Sequence, residues 1–199
     1  MIQGFPDVRT RLPVFPLPTV LLPGTQMPLH IFEPRYQDMV RDVLEGDRRF
    51  GLVYHDWDLQ GPFLCEEGTV GCTAEISQHE ALEDGRSLII VDGGARFAIV
   101  DGIESASRYF DALVHPYAEP IEGAPSPARR PRASDRDEAV LHTLSDRPPD
   151  LPSLSTDRDV SFLLAQTIRV DPRWHQELLE MTREEERLVR IDTVLRALL

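Results

Sequence analysis

His55-Asp56-x-Asp58 is the tightest grouping of metal-type ligands in the chain, one imidazole and two carboxylates. Such a set can grip a divalent ion and support a metal-dependent hydrolase. It falls at the end of a predicted strand, however, where adjacent side chains point to opposite faces. His55 and Asp56 therefore diverge, and a polar loop tip is the expected role. The six histidines are scattered, with no two spaced by three or four residues. Carboxylate pairs occur at Glu66-Glu67, Glu83-Asp84 and Glu184-Glu185-Glu186 without a histidine beside them. The last group opens a predicted helix, where negative charge suits the dipole. Cys65 and Cys72 miss the C-x-x-C redox spacing and read as small, part-buried residues near a strand.

The basic residues exclude more. All 21 are arginine and there is no lysine. Schiff-base chemistry, a Ser–Lys dyad and the phosphate-gripping lysine of a P-loop are ruled out together. The sequence also lacks H-E-x-x-H, G-x-S-x-G and G-x-G-x-x-G patterns. No catalytic residue, metal or cofactor is assigned. Net charge is −13, and residues 1–118 alone hold 9 arginines against 18 acids. That balance disfavours nucleic acid and anionic lipid as partners. No apolar run is long enough to cross a membrane and no secretory signal opens the chain, so the expected compartment is the cytoplasm.

The elements that would position any site change character near residue 119. The first 118 residues read as β structure. Leu12 to Pro18 is apolar but proline-rich, which predicts an edge strand or extended segment. Pro23-Gly24 is a turn signal, and Leu29 to Phe32 a short extended run. Pro34 suits a first helical turn, Tyr36, Met39, Val40, Val43 and Leu44 follow at helical spacing, and Gly46 stops a helix over 35–45. Phe50 to Tyr54, Gly71 to Ala81, Ser87 to Val91, Ala95 to Val100 and Phe110 to Val114 are predicted strands. Glu83-Asp84-Gly85 and Asp92-Gly93-Gly94 are the predicted turns between them. The fold class is therefore α+β: an antiparallel β barrel or sandwich with one inserted helix, then helices.

Residues 119–134 carry four prolines and little to bury, and read as a linker or long surface loop open to proteolysis. Its Arg129-Arg130-Pro131-Arg132 cluster reads as solvated charge. Residues 135–199 are predicted helical. Ser134/Asp137, Thr156/Asp159, Asp171-Pro172 and Thr182/Glu185 are start signals, the last a capping box. Val160, Leu163, Leu164 and Ile168, then Trp174, Leu178 and Met181, then Leu188, Ile191, Leu195 and Leu198 form apolar stripes expected to be core.

The most specific stretch is LPVFPLPTVLLPGTQMPLHIFEPRY at residues 12–36. With Val70-Gly71-Cys72-Thr73-Ala74-Glu75-Ile76, the Asp84-Gly85 turn and Gly93-Gly94-Ala95-Arg96-Phe97, it resembles the N-terminal substrate-binding domain of Lon-type ATP-dependent proteases. Ser161 to Ala165 and Glu185-Glu186-Arg187-Leu188 resemble that domain's helical part. The domain is also found in cereblon and as stand-alone bacterial proteins. The resemblance implies a PUA-like β pseudo-barrel followed by a small α-helical bundle. It implies Glu33, Pro34, Gly71, Asp84, Gly85, Gly94, Arg96 and Phe97 as structural motif residues. With the chain ending at Leu199, the family's ATPase and protease modules and cereblon's zinc domain are expected to be absent.

The function expected is a non-enzymatic module that recognises unfolded or aromatic-rich polypeptide segments, with a protease as a further partner. Such recognition needs a concave apolar surface with a few polar anchors. Phe32, Arg35 and Tyr36, where strand hands over to helix, are the candidate contacts, in an expected crease between barrel and helices. The same residues have an alternative role, with Glu33 and Arg35 bracing the junction and Tyr36 in the core. A PUA-like fold also admits RNA binding, which the charge opposes.

Overall fold

The computed structural model describes residues 9–117 and 160–198. The chain divides into two compact units, Met1–Ala118 and Glu119–Leu199. The first contains β1 (Thr10–Leu17), β2 (Gln26–Ile31), α1 (Pro34–Leu44), β3 (Arg49–Tyr54), α2 (Trp57–Gln60), β4 (Val70–Ala81), β5 (Ser87–Ile103) and β6 (Phe110–Pro116). The second contains α3 (Val160–Thr167), α4 (Pro172–Glu180) and α5 (Glu184–Leu198). A largely antiparallel sheet with two helices inserted between its strands, followed by three further helices, makes an α+β protein. The predicted 119–134 linker and the start signals at Ser134/Asp137 and Thr156/Asp159 lie outside the described residues.

The six strands run in the order β2-β5-β4-β3-β1-β6, and β6 also pairs with β5. That last pairing closes five strands on themselves. Leu12, Val14, Val53, Phe63, Phe97, Ile99, Ala112 and Val114 fill the interior. The Phe97 ring lies on bare backbone: a Cβ on either Gly51 or Gly71 would stand 2.5 Å from its Cζ. Gly71 is thus required by the ring pressed against it. The N-terminal part of β5 and the C-terminal part of β4 run on beyond the barrel. There β2 joins β5 in antiparallel register, from Gln26↔Asp92 to Ile31↔Ser87. The three form an arm whose inner face is Met27, Leu29, Ile31, Ser87, Ile89 and Val91 and whose outer face is exposed or half-buried.

Three expectations are corrected. Asp92-Gly93-Gly94 is no turn, because β5 continues through it for 17 residues. Neither glycine has positive φ. Between Ala74↔Gly93 and Cys72↔Arg96 the ladder gains one residue on β5, a bulge that bends the strand from arm into barrel. Gly93 is glycine because a Cβ there would lie 2.1 Å from the Leu22 carbonyl oxygen. That loop is held in place by Gly24 N–H donating to the Gly93 carbonyl and Gly93 N–H to the Thr25 carbonyl, both at 2.8 Å.

Nor is β1 an edge strand. Thr10–Val14 pairs with β6 and Val14–Leu17 with β3. Each half is laddered on one side, so Pro13 and Pro16 can each turn the missing N–H to the open side. The true edge is β2, which carries Pro28. The third correction concerns direction: β1 and β3 are parallel. The chain leaves β1, crosses through β2 and α1, and returns alongside, the kind of crossover that parallel strands need.

In the second unit the predicted caps are partly met. Asp171 caps α4, accepting from the Arg173 N–H at 2.8 Å, with Pro172 at the first helical position. Helix α5 begins at Glu184, one residue later than a Thr182 cap would start it. Leu164, Ile168, Trp174, Leu178, Leu188, Ile191 and Leu195 are buried, as are Phe162 and Ala165 from outside the predicted stripe. Arg187 is completely buried among them.

Candidate functional site

The strand-to-helix junction is built on backbone constraints. Glu33 occupies the N-cap position of α1 with extended dihedrals, and Pro34 follows with no N–H to leave unpaired. The Glu33 carbonyl accepts from the N–H groups of Tyr36 and Gln37, each at 3.0 Å. Its carboxylate does not cap the helix. It takes the Arg35 guanidinium instead, Nε at 2.9 Å and Nη2 at 2.8 Å.

That guanidinium is surrounded by rings. Its carbon lies 4.5 Å from the Tyr36 centroid, 5.5 Å from Trp57 and 5.7 Å from Phe110. Ring-face attraction for a cation extends over this range. His55 meets Trp57 and Phe63 edge-on, at 4.6 and 5.2 Å, and Phe63 meets Phe110 at 4.9 Å. Two segments distant in sequence, carrying Trp57 and Phe110, thus converge on Arg35, which keeps 32% of its side chain exposed.

The candidate residues separate here. Tyr36 is buried, its ring 4.0 Å from Phe15, and offers no surface to a partner. Among the described residues its hydroxyl has no hydrogen-bond partner, and burial holds the phenol well above the ordinary tyrosine value. Phe32, by contrast, is 59% exposed and lies against His30, with ring centroids 5.7 Å apart. The Gln37 amide donates to the Phe32 carbonyl at 3.0 Å and fixes the backbone beneath it.

His55, Asp56 and Asp58 do not converge. The buried His55 ring places Nε2 2.7 Å from the Gly61 carbonyl. Asp56 caps α2, accepting from the Asp58 and Leu59 N–H groups. Among the described residues, no three His, Cys, Asp or Glu side chains are placed to hold a metal ion. Asp84 and Gly85 form the β4–β5 turn, with Gly85 at φ 83° and the Asp84 carboxylate holding Arg86 at 2.6 Å. The Arg96 guanidinium lies over Tyr117 at 5.2 Å, and Gly94 sits against the Thr73 hydroxyl across the β4–β5 bulge.

A second feature lies beside Phe32. Along the arm's outer face runs a shallow groove of about 460 Å³, lined by Pro28 and His30 of β2, Leu88 and Ile90 of β5, and Gln78 and Glu80 of β4. His30 stands opposite Leu88, and Leu88 opposite Glu80. Since His30 and Phe32 are two apart on one face, Phe32 extends the groove at one end. Sequence reasoning missed the groove, Trp57 and Phe110. The only local signal was that Trp57 is a large apolar residue between two aspartates.

Residues 11–196 match the family described as the ATP-dependent protease La (LON) substrate-binding domain. The chain belongs to that family. Among its relatives, a Lon protease of Xanthomonas oryzae pv. oryzae is 28% identical over 94% of this chain and 23% of that protein. The cereblon of Xenopus tropicalis is 33% identical over 50% of this chain and 24% of that protein. The chain thus spans about a quarter of the length of these relatives. Among solved structures, the Lon N-terminal domain protein from Xanthomonas campestris superposes with a TM-score of 0.67, covering 92% of this chain and 98% of that one at 24% identity. The N-terminal domain of the Mycobacterium avium complex Lon protease gives 0.69, covering 94% and 98% at 18% identity. These likenesses show the fold.

Proposed function

We propose that the chain is a non-enzymatic polypeptide-recognition module of PUA-like barrel and helical bundle, selecting unfolded or aromatic-rich segments in the cytoplasm for or alongside a protease. Membership of a substrate-binding family supports this reading. The observation that carries it is an aromatic side chain, Phe32, held in solvent by a braced strand-to-helix junction. A side chain exposed on a rigid mount contributes contact area without the entropic cost of ordering a loop. In this reading Phe32 makes apolar contact, Arg35 offers a partly exposed cation, and Tyr36 is the platform that positions Arg35. Among the described residues, no helix is long and apolar enough to cross a membrane.

The expected affinity is micromolar or weaker, roughly −8 kcal/mol, because a flexible peptide loses conformational freedom on docking. Fluorescence anisotropy with a labelled aromatic-rich peptide, at two salt concentrations, measures it. Phe32→Ala should weaken binding without lowering the melting temperature. If the peptide binds no better than a scrambled polar control, the proposal fails.

A further inference from the structure

Glu80 lines one end of the groove on the arm's outer face, and Asp92 stands two residues past Ile90, beyond the other end. Glu80 lies opposite Leu88 in the β4–β5 ladder, and Asp92 follows Leu88 by four residues along β5. At about 3.3 Å per strand residue, the two carboxylates are roughly 13 Å apart. Neither is paired with a cation among the described residues; Asp92 accepts a hydrogen bond from the Gln26 amide at 2.7 Å. Between them lie the apolar Pro28, Ile90 and Leu88, the last 44% exposed, with Gln78 beside Ile90. Two neighbouring carboxylates of the arm do have arginine partners, Glu75 with Arg49 and Asp84 with Arg86. The charge left over on this face is therefore negative, and it brackets an apolar strip.

We propose that this face binds an extended polypeptide segment in which a basic, an apolar and a second basic residue occupy alternate positions. The proposal rests on the polypeptide-recognition reading and names the kind of segment selected. An extended chain places residues four apart on one face at the same ~13 Å spacing. Its two basic side chains reach Glu80 and Asp92 together while the residue midway between them enters the strip beside Ile90. Phe32 lies beyond the His30 end and meets whatever apolar residue comes next. An acidic segment would meet both carboxylates with like charge and be rejected.

The test uses the full chain and three short fluorescein-labelled peptides. They share one leucine and differ in carrying arginine, glutamine or glutamate two residues to either side. The arginine-flanked peptide should bind tightest and the glutamate-flanked one weakest. The double variant Glu80→Gln/Asp92→Asn should weaken the arginine-flanked peptide about fivefold, as for partly exposed ion pairs, and leave the glutamine-flanked peptide unchanged. Leu88→Ser should weaken both by about tenfold through lost apolar contact. All these positions are exposed or half-buried, and an unchanged melting curve verifies the fold. If the double variant binds the arginine-flanked peptide undiminished, or the glutamate-flanked peptide binds equally well, the inference is overturned while peptide recognition stands. If no peptide, aromatic-rich or basic-flanked, exceeds a scrambled control, the recognition reading falls and takes this inference with it.

Discussion

Arg35 and Arg187 make nearly the same contact in the two units. One guanidinium lies 4.5 Å from the Tyr36 ring and the other 4.3 Å from the Phe162 ring. Their surroundings differ completely. Arg187 has no exposed surface; its Nε donates to the Ser161 hydroxyl at 2.9 Å and its Nη1 to the Met181 carbonyl at 2.8 Å. It ties α3, the α4–α5 connection and α5 to one another. Arg35 keeps a third of its surface and relies on Glu33, a partner that is itself 42% exposed. In water a guanidinium loses little by letting go; in a sealed core it strands every group it held. Similar ring distances therefore mark a fixed strut in one unit and an adjustable surface in the other.

The largest expected effect follows from the strut. Arg187→Ala should destabilise the protein by about 3 kcal/mol, from the lost packing of its stem and the unpaired Ser161 and Met181 groups. Arg187→Lys should recover little, because an ammonium cannot reproduce the planar fork. Denaturant unfolding of both variants measures this. A near-native Arg187→Lys would show that charge, rather than shape, is what the core requires.

Tyr36 supplies a smaller effect with a distinct pH signature. Its buried hydroxyl has no partner among the described residues, so Tyr36→Phe should raise stability by about 1 kcal/mol at neutral pH. Burial raises the folded-state value above the ordinary tyrosine value of 10.0. Above pH 10 the unfolded chain loses this proton while the folded chain retains it, so stability falls as pH rises. Wild type should thus lose stability on the alkaline side faster than Tyr36→Phe. Parallel alkaline limbs in urea titrations would place the phenol in contact with water.

The smallest effect belongs to Arg35. Arg35→Ala should cost about 0.5 kcal/mol of stability, the scale of a partly exposed cation–π contact, yet change peptide affinity measurably. A stability loss matching that of Arg187→Ala would erase the contrast between the two arginines.

How far the sequence reveals this arrangement depends on how local each cause is. Pro34 and the helical spacing from Tyr36 to Val43 act within a few residues, and α1 was legible to within one residue at either end. Asp171-Pro172 worked for the same reason. Gly93 misled because its cause is distant: the Leu22 carbonyl occupies the space of a side chain, which looks in sequence like a demand for positive φ. A single helical turn such as α2 is too short to show a period. The groove was illegible because Pro28, Leu88 and Gln78 become neighbours only through strand register. Phe32 and Tyr36 came from one motif; helical spacing with Met39, Val40 and Val43 pointed Tyr36 to the core, and Phe32, at the end of an extended run, carried no such signal.

The closure of the barrel through β6 has a consequence in time. Because β1 gains its second partner from β6, a contact such as Arg11 to Asp111 joins residues 100 positions apart. A chain emerging from a ribosome presents β1 first and β6 last, after every other strand of the barrel. Until Phe110–Pro116 appears, the first half of β1 and the far half of β5 are both open edges. Open edges are templates for pairing with other chains. Before its last strand arrives, the barrel thus presents the same unpaired backbone that an unfolded segment does.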